Sequence, residues 1–413
     1  MSEKRGGDRW FLSYFPMNTS SGIVSPLAPL FITELLGGGI VDYSIYVVVS
    51  SLAAIAGLMF WGNLSDRLGR RREFVLIGFI SLAVTAILFS ISFNVTYFII
   101  VSFLSGFLGS AVTPVSSILI MELTERKDWS MKISKFSQYN SYANIAGVII
   151  AAVYTGRFPS PHLLRYLYLM AFAFYVASAI VGYLWVPESK QKINRDEIPI
   201  RAFRVIERVR YLPSQIIHFN FHFRELHKDL KYILIGFLIM MTGFQLFFVA
   251  FPILLKSLDV SSTVFFIIYL GNYLFSALTF GFSGQTCVRY GNRKITTVAV
   301  ISRILIFPSV IGIVAFITSR PILFVALLVV YSVLGALWAF ISVGTGTLAS
   351  NLSKPEERGR VSGTYNAIQS FGAVIGSALT GIIVSDAGYY VDFVIASLVT
   401  SLGLYIFLKE KEK

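Results

Sequence analysis

The sequence predicts an all-α integral membrane protein of twelve transmembrane helices, arranged as two pseudo-symmetric six-helix bundles. Three observations lead there: an apolar composition that water could not cover, twelve apolar runs of membrane-crossing length, and a basic loop that occurs twice. Of 413 residues, 55% are hydrophobic and 14% charged, and mean hydropathy is +0.71. A soluble domain carries about 25% charged residues, so this chain has too little polar surface for a water-facing globule. The same apolar excess excludes disorder. One cysteine, Cys287, excludes a disulfide framework and a multi-cysteine metal site.

A helix needs about 20 apolar residues to cross the hydrocarbon core. Runs of that kind lie at 10–36, 41–62, 73–92, 95–121, 134–156, 164–186, 232–255, 261–286, 295–318, 321–350, 361–384 and 389–408. They are long and unalternating, which favours helices over barrel strands, the two structures that satisfy backbone polar groups in lipid. Met1–Arg5 is charged but has no short apolar core with a cleavage site behind it, so the first span is expected to be retained. With both termini placed in the cytoplasm, thirty of the 35 Lys and Arg fall on the inner side, four on the outer side, and Arg303 within a span. That asymmetry is what the positive-inside rule requires, and it assigns the +13 charge to topology rather than to nucleic acid.

The longest hydrophilic stretch follows six spans, giving three expected units: 1–187, a six-helix bundle; 188–230, a cytoplasmic linker; and 231–413, a second six-helix bundle. Within the linker, Ile198–Leu212 interleaves Phe203, Ile206 and Val209 with Arg201, Arg204, Arg208 and Arg210, the pattern of an amphipathic helix on an anionic leaflet. The bundles repeat. An offset of 222 aligns Gly62, Arg67, Gly69 and Arg71 with Gly284, Arg289, Gly291 and Arg293, and an offset of 229 aligns Asn140 with Gln369 and Gly147 with Gly376. Duplicated bundles of this kind place a substrate site near the bilayer midplane in secondary transporters.

The segment Gly62-x-Leu64-x-Asp66-Arg67-x-Gly69-Arg70-Arg71 resembles the cytoplasmic signature loop of the major facilitator superfamily, and Gly284–Lys294 resembles its decayed second copy. On residue chemistry alone, Gly62 permits close helix approach, Gly69 can take positive φ in a sharp return, and Asp66 among arginines favours an ion-pair cluster. The resemblance implies more: Asp66 with Arg67 and Arg71 would latch the halves on the cytoplasmic side when the protein faces outward. In the second copy Val288 replaces the acid, so a symmetric latch is not expected. The resemblance also implies a major facilitator fold whose first, fourth, seventh and tenth spans line a cavity, flanked by the second, fifth, eighth and eleventh. The arginine in span 4 and the Gly-Pro pair in span 5 of many proton antiporters are replaced here by Ser102 and by Gly147-Val148.

Uncharged polar and aromatic residues on these spans form the candidate substrate cavity: Asn18, Gln138, Asn140, Tyr142, Asn144, Gln245, Asn272, Tyr273, Trp338, Tyr365, Asn366 and Gln369. Amides and phenols bind neutral or zwitterionic groups, and aromatic faces hold rings or cations; the competing reading is hydrogen bonding between helices. Glu34, Asp392 and Arg303 are the candidates for coupling. The acids flank outer turns, and Arg303, deep in a span, reads either as a counter-ion for an anionic substrate or, by preference, as a snorkelling or helix-pairing residue at the bundle periphery. His218 and His222, four apart, lack a third ligand, and neither a metal nor a cofactor is expected. No phosphate loop or catalytic triad is present, so no enzyme is expected.

The expected function is alternating-access transport of a small organic solute across the cytoplasmic membrane by a lipid-embedded monomer, alone or coupled to H+ or Na+. Efflux of amphipathic drugs by proton antiport is the nearer alternative. A non-transporting receptor or lipid-handling protein is the alternative from another class.

Overall fold

The computed structural model describes residues 8–68, 71–112, 119, 129–187, 228–351 and 358–409. A short 3-10 turn, Asp8–Ser13, leads into α1 (Tyr14–Leu30), followed by α2 (Ile40–Leu68), α3 (Arg71–Ser90), α4 (Val95–Gly109), α5 (Trp129–Arg157) and α6 (Leu164–Trp185). The second half comprises α7 (Lys228–Ser257), α8 (Ser262–Tyr290), α9 (Asn292–Phe316), α10 (Arg320–Asn351) and α11 (Arg358–Phe407). α11 breaks at Gly388, whose φ of 84° suits glycine, and its two arms are the eleventh and twelfth spans. No strand occurs among the described residues. Among the described residues, eight helical stretches are long and apolar enough to cross a membrane, one of them covering both arms of α11, and Val95–Gly109 is a shorter apolar helix.

The surface is apolar where a soluble protein would be polar: Ile80, Val84, Leu278, Leu305 and Leu398 are all more than half exposed. Apolar exposure on this scale belongs against lipid tails. The expected loops after spans 2 and 8 are shorter than their sequences suggest. α2 continues through Asp66 and Arg67 to Leu68, and α8 continues through Gly284 and Arg289 to Tyr290, with no proline in either stretch to stop the helix. The reversal in the second copy falls to Gly291 alone, with φ 89° and its N–H bonded to Cys287 O. Gly69 and Arg70 lie outside the described residues, as does the linker with its basic amphipathic stretch.

Packing repeats between the halves. α1 lies on α5 as α7 lies on α11, α2 on α4 as α8 on α10, and α3 on α6 as α9 on the second arm of α11. At the contacts, glycines let helices approach until a side chain would collide with a facing carbonyl: Gly147 against Thr19, Gly376 against Thr242, Gly106 against Ser50, and Gly335 against Asn272. Gly147 to Gly376 and Gly106 to Gly335 keep the offset of 229 and Ser50 to Asn272 the offset of 222, while Thr19 to Thr242 differs from the latter by one residue. Basic residues at the starts of α3 and α9 make the same kind of bond one position out of register with the repeat, Arg72 donating to Tyr183 O and Arg293 to Leu408 O, the latter at 2.7 Å. Both carbonyls sit at helix C-termini, where a cation is favoured. Between halves the most extensive contacts among the described residues are α2 with α11 and α5 with α8, positions that the repeat exchanges.

Overpacking a tight contact costs about 1–3 kcal/mol. Gly147→Val is therefore expected to lower the detergent-solubilised Tm by several degrees. Gly281→Ala, where no described atom lies within 4 Å of the added Cβ, should leave Tm unchanged or raise it, as read by thermal unfolding.

Candidate functional site

A cavity of about 470 Å³ lies between the halves at mid-depth. α1 contributes Ser25, α2 Tyr43, and α5 Ser141 and Asn144. The second half supplies most of the wall. Met241, Phe244, Gln245 and Phe248 fall on one face of α7, and Tyr269, Asn272, Tyr273, Ser276, Ala277 and Phe280 on one face of α8. These positions recur every three or four residues, the spacing of a helix face. Arg303 of α9 and Tyr331, Leu334 and Trp338 of α10 complete the wall. Asn272 Nδ2 donates to Tyr331 O at 2.8 Å, pinning α8 to α10 beside the close approach of Gly335 to Asn272 O.

Arg303 is the charged member of this lining. It is 1% exposed, so it does not snorkel from the periphery; the side chain points inward and reaches the cavity wall, and its bond to Leu334 O of α10 is the helix pairing that was the other half of that expectation. The guanidinium lies over the rings of Phe244, Phe248 and Trp338, with centroids at 4.5, 5.2 and 5.6 Å. Its Nη2 donates to Leu334 O at 2.8 Å, while Nε and Nη1 have no hydrogen-bond partner. Desolvating an ion costs several kcal/mol. Each ring returns about 2 kcal/mol when water is excluded, and the carbonyl bond about 1.5–3 kcal/mol. The rings hold the charge in place but accept none of the remaining N–H bonds.

Of the sequence-derived cavity set, Asn144, Gln245, Asn272, Tyr273 and Trp338 line the cavity. Others bond within their own helix or bundle. Asn18 Nδ2 donates to Tyr14 O at 2.9 Å and Gln138 Nε2 to Tyr142 Oη at 3.1 Å, whereas Asn140 is outside the lining and gives its backbone carbonyl to Asn144 Nδ2 at 2.9 Å. Tyr365 pairs its hydroxyl with Thr345 Oγ1 at 2.7 Å and stacks on Phe237. Gln369 is half-buried away from the lining, and the side chains of Asn366, Asp66 and Arg67 lie outside the described residues. Tyr43, Phe244, Phe248 and Tyr331 were missed. Nothing marked them in a chain with 36 Phe and 21 Tyr, although Phe244–Phe248 and Tyr269–Tyr273 share a four-residue spacing.

The other candidates separate. Glu34 sits in a π-helical turn, Phe31–Leu35, that continues α1 beyond Pro26 and Pro29. Its carboxylate forms an ion pair with Lys256 at the end of α7 and accepts from Ser262 Oγ, 3.1 Å from each oxygen, at the start of α8. Glu34 thus bridges the two halves at this end of the bundle. Asp392, four residues past the Gly388 break, is fully buried with neither oxygen hydrogen-bonded, and it is not among the cavity-lining residues. At the opposite end Arg71 is buried and donates to Ser65 Oγ at 2.6 Å, Arg289 lies over Tyr290, and α5 is exposed at three consecutive positions, Ser137, Gln138 and Tyr139. Three successive residues span well over half a helix turn, so this part of α5 has a free flank.

Two bundles of six spans around a mid-depth cavity define a polytopic helical membrane protein of duplicated-bundle type. The family model described as Major Facilitator Superfamily matches residues 10–343 and 233–413, and the chain belongs to that family. It is similar to a bicyclomycin resistance protein homolog of Haemophilus influenzae, 30% identical over 145 residues, or 35% of each chain. It is also similar to the multidrug resistance protein MdtG of Escherichia fergusonii, 24% identical over 198 residues, or 46% of each chain. The match thus spans less than half the length of these curated relatives. Among solved structures, the nucleoside transporter NupG aligns with TM-score 0.69 over 98% of this chain and 99% of its own, at 14% identity. A D-xylose–proton symporter aligns with TM-score 0.73 over 98% and 97%, also at 14% identity. At such identity these two share the fold.

The side chains of Glu34 and Lys256 are 13% and 17% exposed, so water partly screens the pair. A pair of that kind is worth about 1 kcal/mol, which is about fivefold in a two-state population. In a Cys287→Ser background, Glu34→Gln is expected to raise labelling of Ser25→Cys from the Glu34 end by about fivefold. An impermeant maleimide added to oriented vesicles measures it.

Proposed function

We propose that the protein is a secondary transporter that carries a small organic solute across the cytoplasmic membrane by alternating access, working as a monomer. The observation that carries this reading is the placement of the cavity: both halves line it at mid-depth, and a polar bridge joins them at one end only a short way beyond it. Helices that rocked about this cavity would break Glu34–Lys256 and Glu34–Ser262 and close the opposite end. The free flank of α5 supports a state open toward the Gly62 end. The positive-inside rule supports assigning that end to the cytoplasm, with both termini there, since thirty basic residues belong to it.

In this scheme Asp66 with Arg67 and Arg71 forms the latch that closes the cytoplasmic end, and Glu34 serves as its counterpart outside rather than as a coupling acid. The repeat at Gly284, Arg289, Gly291 and Arg293 supplies a turn and a helix-end clamp without a latch acid. Asp392 remains the candidate for holding a coupling H+ or Na+, because an unbonded carboxylate within a bundle is costly unless it has a task. The names of the relatives, resistance proteins for bicyclomycin and multiple drugs, favour export over uptake.

Nitroxide pairs bridging α2 and the first arm of α11, one pair at each end, test the reading by pulsed electron resonance. Two-component distance distributions are expected, with the Glu34-end pair lengthening as the Gly62-end pair shortens, and Glu34→Gln should shift both populations together. Distances that stay fixed, or move in the same direction, would count against transport by this mechanism.

A further inference from the structure

We infer that the cavity selects solutes bearing a single oxyanion headgroup, a carboxylate or sulfonate, on a flat apolar body, and that Arg303 holds the headgroup. The inference rests on reading this cavity as the solute site, and deepens that reading. The charge is the first ground. Arg303 is the one Lys, Arg, His, Asp or Glu among the residues that line the cavity, so nothing on the described wall balances it. Arginine stays protonated in proteins, and the charge cannot be shed.

Direction is the second ground. A guanidinium carries five N–H donors in a planar fork. Leu334 O engages Nη2, and Nε and Nη1 are unpartnered. Whichever Nη2 proton that carbonyl takes, one two-donor edge of the fork stays whole, and such an edge matches two oxygens of a carboxylate or sulfonate. Shape is the third. Phe244, Phe248 and Trp338 surround the guanidinium and line the cavity, so a planar apolar body attached to the headgroup would lie beside aromatic side chains. One guanidinium balances one negative charge; a dianion would leave a second charge buried and unpaired. A cationic drug would face like charge with no carboxylate on the described lining to receive it.

The test uses the full-length protein in nanodiscs and four probes with one body: naphthoate, naphthalenesulfonate, naphthamide and naphthylmethylamine, titrated by calorimetry. Either or both anions are expected to bind about tenfold or more tighter than the amide, with the amine weakest. Which anion binds tells the headgroup. Arg303→Gln should bring the anions to the level of the amide and leave the amide unchanged, and Arg303→Lys, which keeps the charge without the fork, should fall between. The proposal is overturned if neither anion binds, if the amide or amine binds as tightly as the anions, or if Arg303→Gln with wild-type Tm keeps anion affinity. The ranking in the unsubstituted protein decides the matter even where Arg303→Gln does not insert. Anion binding without anticorrelated distance changes would remove the transport reading and keep this one; distance changes without anion preference would do the reverse.

Discussion

Inside a bilayer no water is present to bond a freed backbone amide, so a spanning helix keeps its own hydrogen bonds through any motion. That constraint leaves rigid displacement of whole helices as the means of moving a cavity from one side to the other. It requires interfaces of two strengths, and both are present. Within each half, glycines bring helices into carbonyl contact at Gly147, Gly106, Gly376 and Gly335, where little play is left. Between halves at the Glu34 end, the polar link is a partly screened ion pair and a hydroxyl bond. Packed contacts of the first kind fix six helices as a body, and links of the second kind can exchange for water.

The chemistry of the cavity follows from the same division. Most of its wall comes from the second half, so a bound solute would lean on one body and be covered by the other through Ser25, Tyr43, Ser141 and Asn144. A buried guanidinium held by rings, rather than by an acid, sets the sign of the field there. Aromatic faces hold it without neutralising it, which a carboxylate partner would do. The same arrangement explains why Asn272 is spent on Tyr331 O: it fixes α10, and with it Trp338, relative to α8.

Much of the architecture was legible in the sequence because the bilayer imposes length, apolarity and charge sidedness on every span. The repeat aligned Gly291 with Gly69 and Gly376 with Gly147, and the structure makes Gly291 a turn at positive φ and both Gly147 and Gly376 close helix contacts, while the break at Gly388 was not read from the sequence. Legibility fell where a residue's role depends on which way its helix faces. Asn18, Gln138 and Tyr142 read as cavity residues yet bond along their own helices, since a local carbonyl or hydroxyl four residues away is always within reach. Arg303 read as peripheral from the position of its span, but its long side chain carries the charge inward past that span to three rings contributed by α7 and α10. Tyr43, Phe244 and Tyr331 were hidden because an aromatic residue suits lipid, core and cavity alike.

Alternating access requires the exchange of one opening for the other. Glu34→Cys with Ser262→Cys, in a Cys287→Ser background, would tie the halves covalently at the end now joined by a hydrogen bond. Exchange of a bound probe across proteoliposomes by the oxidised, cross-linked protein is predicted to stop, and to resume when the bond is reduced. Undiminished exchange through the cross-linked protein would contradict the account, because solute would then be crossing without the halves parting.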